Sequence, residues 1–200
     1  MANSAILITL GHHASAIYVD NNNVLGYEEE RLNREKATSA YPINAMTLIE
    51  KHANIRKGSR VFVSHWFDNF DFHSSENKYF NKSHFDDFVS KYNLRPTYLS
   101  DSFTHHDAHA YSSLAFFRDR ITDKQKKLLG NDDVYFIAAD GFGNNQEAIS
   151  VYKCDSKTAT GKGDLELIER RWGYTRSLGL MYQYATSYCG MKENQDEYKF

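Results

Sequence analysis

Two cysteines, two prolines, no surplus of either charge and no long apolar run set the first limits on this 200-residue chain. Cys154 and Cys189 do not form a C-x-x-C pair, which argues against a disulfide framework or a thiolate zinc site and leaves both as bystanders. The scarcity of proline argues against linker segments. Lys+Arg number 24 against Asp+Glu 26, for a net charge of −2, so no basic surplus marks nucleic acid or an anionic membrane as a partner, although local basic patches stay open. No apolar run approaches the roughly 18–20 residues of a spanning helix. Met1-Ala2-Asn3-Ser4 lacks the positive flank of a signal peptide, so a cytoplasmic location without a membrane partner is expected. What the chain has in quantity is aromatic: Tyr 14 and Phe 13 fit β-rich layers or a stacking pocket. With 41% hydrophobic and 25% charged residues it reads as globular, one large domain or two small ones.

The densest chemistry lies at Thr104-His105-His106-Asp107-Ala108-His109-Ala110. Residues four apart share a helix face with Cβ atoms about 5–6 Å apart, so His105 and His109 can aim at one point as a two-histidine metal clamp. Thr104 with Asp107 is an acidic capping box that would start the helix at His105. Ala108, Tyr111, Ser112 and Ala115 would give that helix a small-residue packing face. The bland alternative is a run of surface histidines at a helix start.

Ala5 to Leu10 reads as a strand buried on both faces, followed by Gly11-His12-His13; Ser15–Val19 and Val24–Glu29 complete an antiparallel meander. A tip of Gly-His-His-Ala-Ser offers flexible backbone, imidazole and hydroxyl where a mere tight turn would use Asn-Gly. The run Glu28 to Lys36 is a solvated charged face, or one in which Arg31, Arg34 or Lys36 meets an anion. Ser39 and Pro42 start a helix with Ile43, Met46, Ile49 and Ala53 on one side, and 60–64 returns as a strand, an α/β pattern. Residues 65–82 form a long aromatic loop, an ordered flap over an acceptor site or a plain surface loop. A short helix capped by Ser83 follows, with Phe85, Phe88, Val89 and Tyr92. Residues 119–133, rich in lysine, read as a solvated connector.

Val134 to Ala139 is a second buried strand that runs into Asp140-Gly141-Phe142-Gly143-Asn144 and then a strand with Ala148, Ser150 and Tyr152 alternating. The strand, glycine turn, strand unit therefore occurs twice, which predicts two related half-domains, 1–130 and 131–200. An aspartate at a strand end before Gly-x-Gly can hold a metal, and the glycines let backbone N–H groups approach an anion; a bare hairpin turn explains the same residues. From Ser177, apolar positions 178, 181, 182, 185 and 189 trace one face of a helix that needs a cover the last ten residues cannot supply.

Taken in order, Gly11 to Ala16, Glu28 to Leu32 with Arg34 and Lys36, His105 to Ala110, Asp140 to Gly143, Ser177 to Leu180 and Glu197-Tyr198-Lys199 resemble the O-carbamoyltransferases of nodulation-factor and antibiotic biosynthesis. The main domain of that family is similar to the tRNA threonylcarbamoyl-transfer protein. The resemblance implies an α/β fold of the actin, sugar-kinase and heat-shock ATPase superfold with duplicated strand-turn-strand units and an incomplete second half, and an activating domain beyond residue 200. It implies transfer of a carbamoyl group, from carbamoyl-adenylate made with carbamoyl phosphate and ATP, to a hydroxyl of a small acceptor. By the same resemblance His105 and His109, with Asp140, bind Fe(2+) or another divalent metal; Asp140, Gly141, Phe142, Gly143 and Asn144 meet the nucleotide; and His12 and Lys36 are catalytic. His13 stands where many members carry aspartate, which leaves open whether His12 or His13 faces the substrate.

Threonylcarbamoyl transfer to tRNA would call for a basic face that the charge balance does not supply. A sugar-kinase-like ATPase needs no histidine clamp. An inactive metal-binding fragment is the reading outside catalysis.

Overall fold

The computed structural model of the chain describes residues 4–21, 23–65, 70–72, 77–99, 103–193 and 196. It is a mixed α/β structure that divides into two compact units, Met1–Ser102 and Phe103–Phe200.

In the first unit β1 (Ala5–Thr9), β2 (Ser15–Val19) and β3 (Val24–Glu28) form the expected antiparallel meander. β4 (Arg60–Ser64) and β5 (Arg95–Tyr98) join it in parallel, giving a five-stranded sheet in the order β3-β2-β1-β4-β5. The connections run through α1 (Glu29–Asn33), α2 (Ile43–His52) and α3 (Lys82–Tyr92). Ile6, Ile8, Val61 and Val63 meet Met46, Ile49, Phe85 and Phe88 in one core. Burying each of the larger aliphatic side chains stabilises the unit by about 1.5–3 kcal/mol. β1 is not buried on both faces: Ile6 and Ile8 are inaccessible while Ala5, Leu7 and Thr9 are half-buried, because both long helices feed the core on one side of the sheet. Ile43, read as a core position, is exposed; Ala45 takes its place beside Met46 and Ile49.

Two further departures come from side chains that sequence pattern misassigned. Glu29, in the charged run read as solvated, is 1% exposed: its carboxylate accepts from Ala45 N–H at 3.0 Å, Asn44 N–H at 3.4 Å and Asn44 Nδ2 at 2.6 Å. It supplies the helix cap that the N-cap residue Pro42 cannot. In the aromatic loop, Phe72 and Phe80 turn into the core, edge to face with each other at 5.6 Å, so apolar burial rather than a flap accounts for these two. Residues 66–69 and 73–76 of that loop lie outside the described residues, as does the Glu197-Tyr198-Lys199 block.

The second unit is built on α4 (His105–Arg120), α5 (Asp123–Leu129) and a three-stranded antiparallel sheet of β6 (Asp133–Ala139), β7 (Glu147–Asp155) and β8 (Glu166–Trp172), in the order β6-β7-β8. α6 (Ser156–Thr160) and α7 (Leu178–Tyr188) complete it. The histidine helix thus belongs with the sheet that follows it, and the units part at 102/103, ahead of the 130/131 boundary drawn at the lysine-rich run. That run is itself helical as α5, with a Thr122–Gln125 capping box. α4 buries His106, Asp107, Ala110 and Leu114, whereas Ala108, Ser112 and Ala115, the expected small-residue face, are exposed. The packing face is chosen by polar anchors on β7 and β8 as well as by Ala110 and Leu114 against Phe136 and Ala138. β6, too, is covered on one side only: Phe136 and Ala138 are buried and Tyr135 and Ile137 exposed.

Candidate metal centre

α4 begins where the sequence places it. Thr104 Oγ1 accepts from Asp107 N–H at 3.3 Å and Asp107 Oδ2 accepts from Thr104 N–H at 2.7 Å, the reciprocal capping box. Asn144 Oδ1 adds a third cap, accepting from His105 N–H at 2.8 Å. With the first turn so fixed, His105 and His109 project from one face, their rings 4.5 Å apart.

Asp140, at the end of β6, completes the cluster. His105 Nε2 lies 2.8 Å and His109 Nε2 3.5 Å from Asp140 Oδ2, and the two Nε2 atoms are 3.0 Å apart. Donor atoms around an ion at about 2.1 Å are separated by about 3.0 Å at octahedral and about 3.4 Å at tetrahedral angles, so this spacing suits a divalent ion. Hydrogen bonding alone satisfies the cluster poorly. A neutral His105 has one hydrogen at most on Nε2; if it donates to Asp140, no lone pair remains there to accept from His109. A cation at the centre takes a lone pair from each of the three atoms. The residues present therefore fit a divalent metal with nitrogen and oxygen ligands.

Hydrogen bonds from His105 and then His109 hold the Asp140 carboxyl well below the usual carboxylate range, against the opposing effect of burial. The Asp140 hydrogen bond raises the pKa of His109 above its ordinary value, outweighing desolvation. His106, the middle histidine, points the other way: it is fully buried, with Nδ1 3.0 Å from Ser150 Oγ, and burial lowers its pKa.

The Asp140–Asn144 loop is held from within. Gly141 N–H donates to Asp140 Oδ1 at 2.6 Å and Gly143 N–H to Glu147 O at 2.7 Å, so these two donors serve the loop and not an external anion. Phe142 packs edge to face on Tyr174 at 4.7 Å. The Ser177-Leu178-Gly179-Leu180 block, whose role sequence pattern did not reveal, clamps this loop. Ser177 Oγ caps α7 by accepting from Leu180 N–H at 3.0 Å and lies 2.6 Å and 2.9 Å from the carbonyl oxygens of Gly141 and Asp140. A Cβ on Gly179 would fall 2.5 Å from Gly141 N, so only glycine lets α7 approach the strand end that carries Asp140.

His12 and Lys36 lie in the first unit, both exposed on turns. Glu30 ties the two turns together: its Oε2 accepts from Ala37 N–H at 2.7 Å and faces His13 Nδ1 at 3.5 Å. His13, Arg34 and Ala37 all have left-handed backbone, with φ of 64°, 66° and 54°, a clustering of strain that marks these turns as specified rather than casual.

No protein-family model matches the sequence, and no curated protein matches it significantly.

Proposed function

We propose that this chain carries the carbamoyl-transfer region of an O-carbamoyltransferase, with a divalent metal such as Fe(2+) held by His105, His109 and Asp140. The observation that carries the proposal is the convergence of two Nε2 atoms and one carboxylate oxygen, all within 4.8 Å of one another, on rigid, capped backbone. The family assignment rests on the six blocks of sequence resemblance. Support for the actin-like superfold comes from the second meander, β6-β7-β8, echoing β1-β2-β3, each with a glycine-bearing turn after its first strand.

When bound, the metal supplies Lewis-acid stabilisation of charge on the carbamoyl oxygen. His105, His109 and Asp140 would hold it. In the reaction the acceptor hydroxyl oxygen bonds to the carbamoyl carbon, the hydroxyl proton passes to a base, and AMP leaves with the electrons of the broken carbon–oxygen bond. The sequence resemblance assigns the base to His12, and a neutral imidazole suits that step near pH 7. Its neighbour His13 faces Glu30, with Nδ1 3.5 Å from Oε2. Lys36 is proposed to meet the anionic donor.

The test has two arms. Purified protein loaded anaerobically with Fe(2+) should retain one equivalent, which His105→Ala, His109→Ala and Asp140→Asn each lose. In the full natural protein, supplied with carbamoyl phosphate, ATP and a hydroxyl acceptor, His12→Ala should stop transfer while carbamoyl-adenylate still forms. Transfer that survives loss of the metal would overturn the reading. Stoichiometric metal without any transfer would leave a metal-binding module.

A further inference from the structure

Behind the histidine pair lies a buried chain of charged and polar groups that no step above employs. Asp107, whose Oδ2 caps α4, uses its other oxygen to accept from Tyr152 Oη at 2.6 Å on β7 and from Arg170 Nη2 at 2.7 Å on β8. Arg170 Nη2 also donates to Tyr152 Oη at 3.1 Å, and its Nε lies 2.5 Å from Glu147 Oε1. Glu147 in turn accepts from Ser150 Oγ at 2.5 Å, and Ser150 meets His106. Glu147, Ser150 and His106 are fully buried. Arg170 has two carboxylates within reach.

This arrangement is costly for stability alone. A buried ion pair often contributes no more than well-packed apolar residues of the same volume, because desolvation offsets the Coulombic gain. What it does supply is direction: ionic hydrogen bonds from two strands fix the rotation of the helix turn on which His105 and His109 stand. The Glu147 backbone carbonyl holds Gly143, so the same residue steadies the loop that follows Asp140.

We propose that Asp107, Arg170, Glu147 and Tyr152 are positioning residues that set the geometry of the metal site without touching the ion; this rests on the reading of His105, His109 and Asp140 as its ligands. Groups that orient metal ligands typically alter affinity about 10–100-fold when removed.

The experiment titrates the whole chain with Co(2+), reading affinity and the visible ligand-field spectrum, with the fold checked by circular dichroism at each step. Tyr152→Phe, which keeps the ring and deletes one hydroxyl, should weaken Co(2+) binding about tenfold, the low end of that range, and change the spectrum. Arg170→Met should weaken it more, and Arg170→Lys should restore part of the loss. Leu114→Ala, which loosens the same core without removing a polar group, should lower thermal stability and leave affinity and spectrum unchanged. If Arg170→Met does not fold, Tyr152→Phe decides. Wild-type affinity and spectrum in Tyr152→Phe, or equal weakening in Leu114→Ala, would overturn the positioning role while leaving the metal site standing. Absence of Co(2+) binding by the wild-type chain would overturn the site itself and the inference with it.

Discussion

At the scale of single residues, three histidines within five positions do two different things. His105 and His109 converge with Asp140, and His106 turns into the core. His105→Ala or His109→Ala should therefore abolish tight metal binding with little loss of fold. His106→Ala should keep the ligands but destabilise the second unit by about 2–4 kcal/mol, through a cavity and a disrupted polar cluster. Metal analysis and thermal unfolding of the three variants test this, and equal metal loss in all three would refute the division. Protons compete for the same lone pairs. Because Asp140 raises the pKa of His109, that competition begins above the ordinary histidine value of about 6.5, and Co(2+) affinity is expected to fall steadily as pH drops from about 8 to about 5.5. Affinity that stays flat across this range would contradict the participation of His109.

At the scale of elements, two helices depend on side chains borrowed from elsewhere. α2 is capped by Glu29 from α1, fifteen residues upstream of Asn44 and sixteen of Ala45. Glu29→Ala leaves the buried Ala45 N–H without an acceptor and should cost about 1–3 kcal/mol in the first unit, measurable by denaturant titration, with metal binding untouched. α7 sits against the Asp140–Gly141 backbone only because residue 179 lacks a Cβ. Gly179→Ala forces strand end and helix apart, an overpacking cost of about 1–3 kcal/mol. Unlike the Glu29 change, it should also weaken Co(2+) binding, since it displaces the segment carrying Asp140. An unaltered affinity in Gly179→Ala would show that α7 does not hold the site.

At the scale of the whole molecule, apolar surface stands open on the second unit. Along α7, Met181 is 64% and Tyr184 78% exposed, and Thr186 is the residue of that helix that is buried. Exposed apolar area of this kind favours association. Sedimentation at increasing concentration should reveal self-association that Met181→Lys with Tyr184→Lys diminishes; an unchanged distribution would assign the surface no such part.

Local chemistry determined a good deal of this. The Thr104–Asp107 box fixes the start of α4 to the residue, and i,i+4 spacing puts His105 and His109 on one face whatever surrounds them. Apolar runs, alternation and turn residues mark β1, β2, β3, β6 and β7, since these depend on neighbours along the chain; the third strand of the second meander, β8, is not marked in this way. Asp140 was legible as a strand-end carboxylate before Gly-x-Gly. Contacts across tens of residues were not legible. Glu29 and Glu30 look alike in a charged run, and only the tertiary placement of α2 buries one and leaves the other to join two turns. The lysine-rich connector read as solvated loop because its charges mask a capped helix. Which face of α4 packs inward was decided in part by Arg170, 63 residues beyond Asp107, since the partner of a buried carboxylate is set by folding and leaves no periodic mark in sequence. Sequence alone named His105, His109 and Asp140 as candidates; the packing of β6, β7 and β8 against α4 brought their side-chain atoms together.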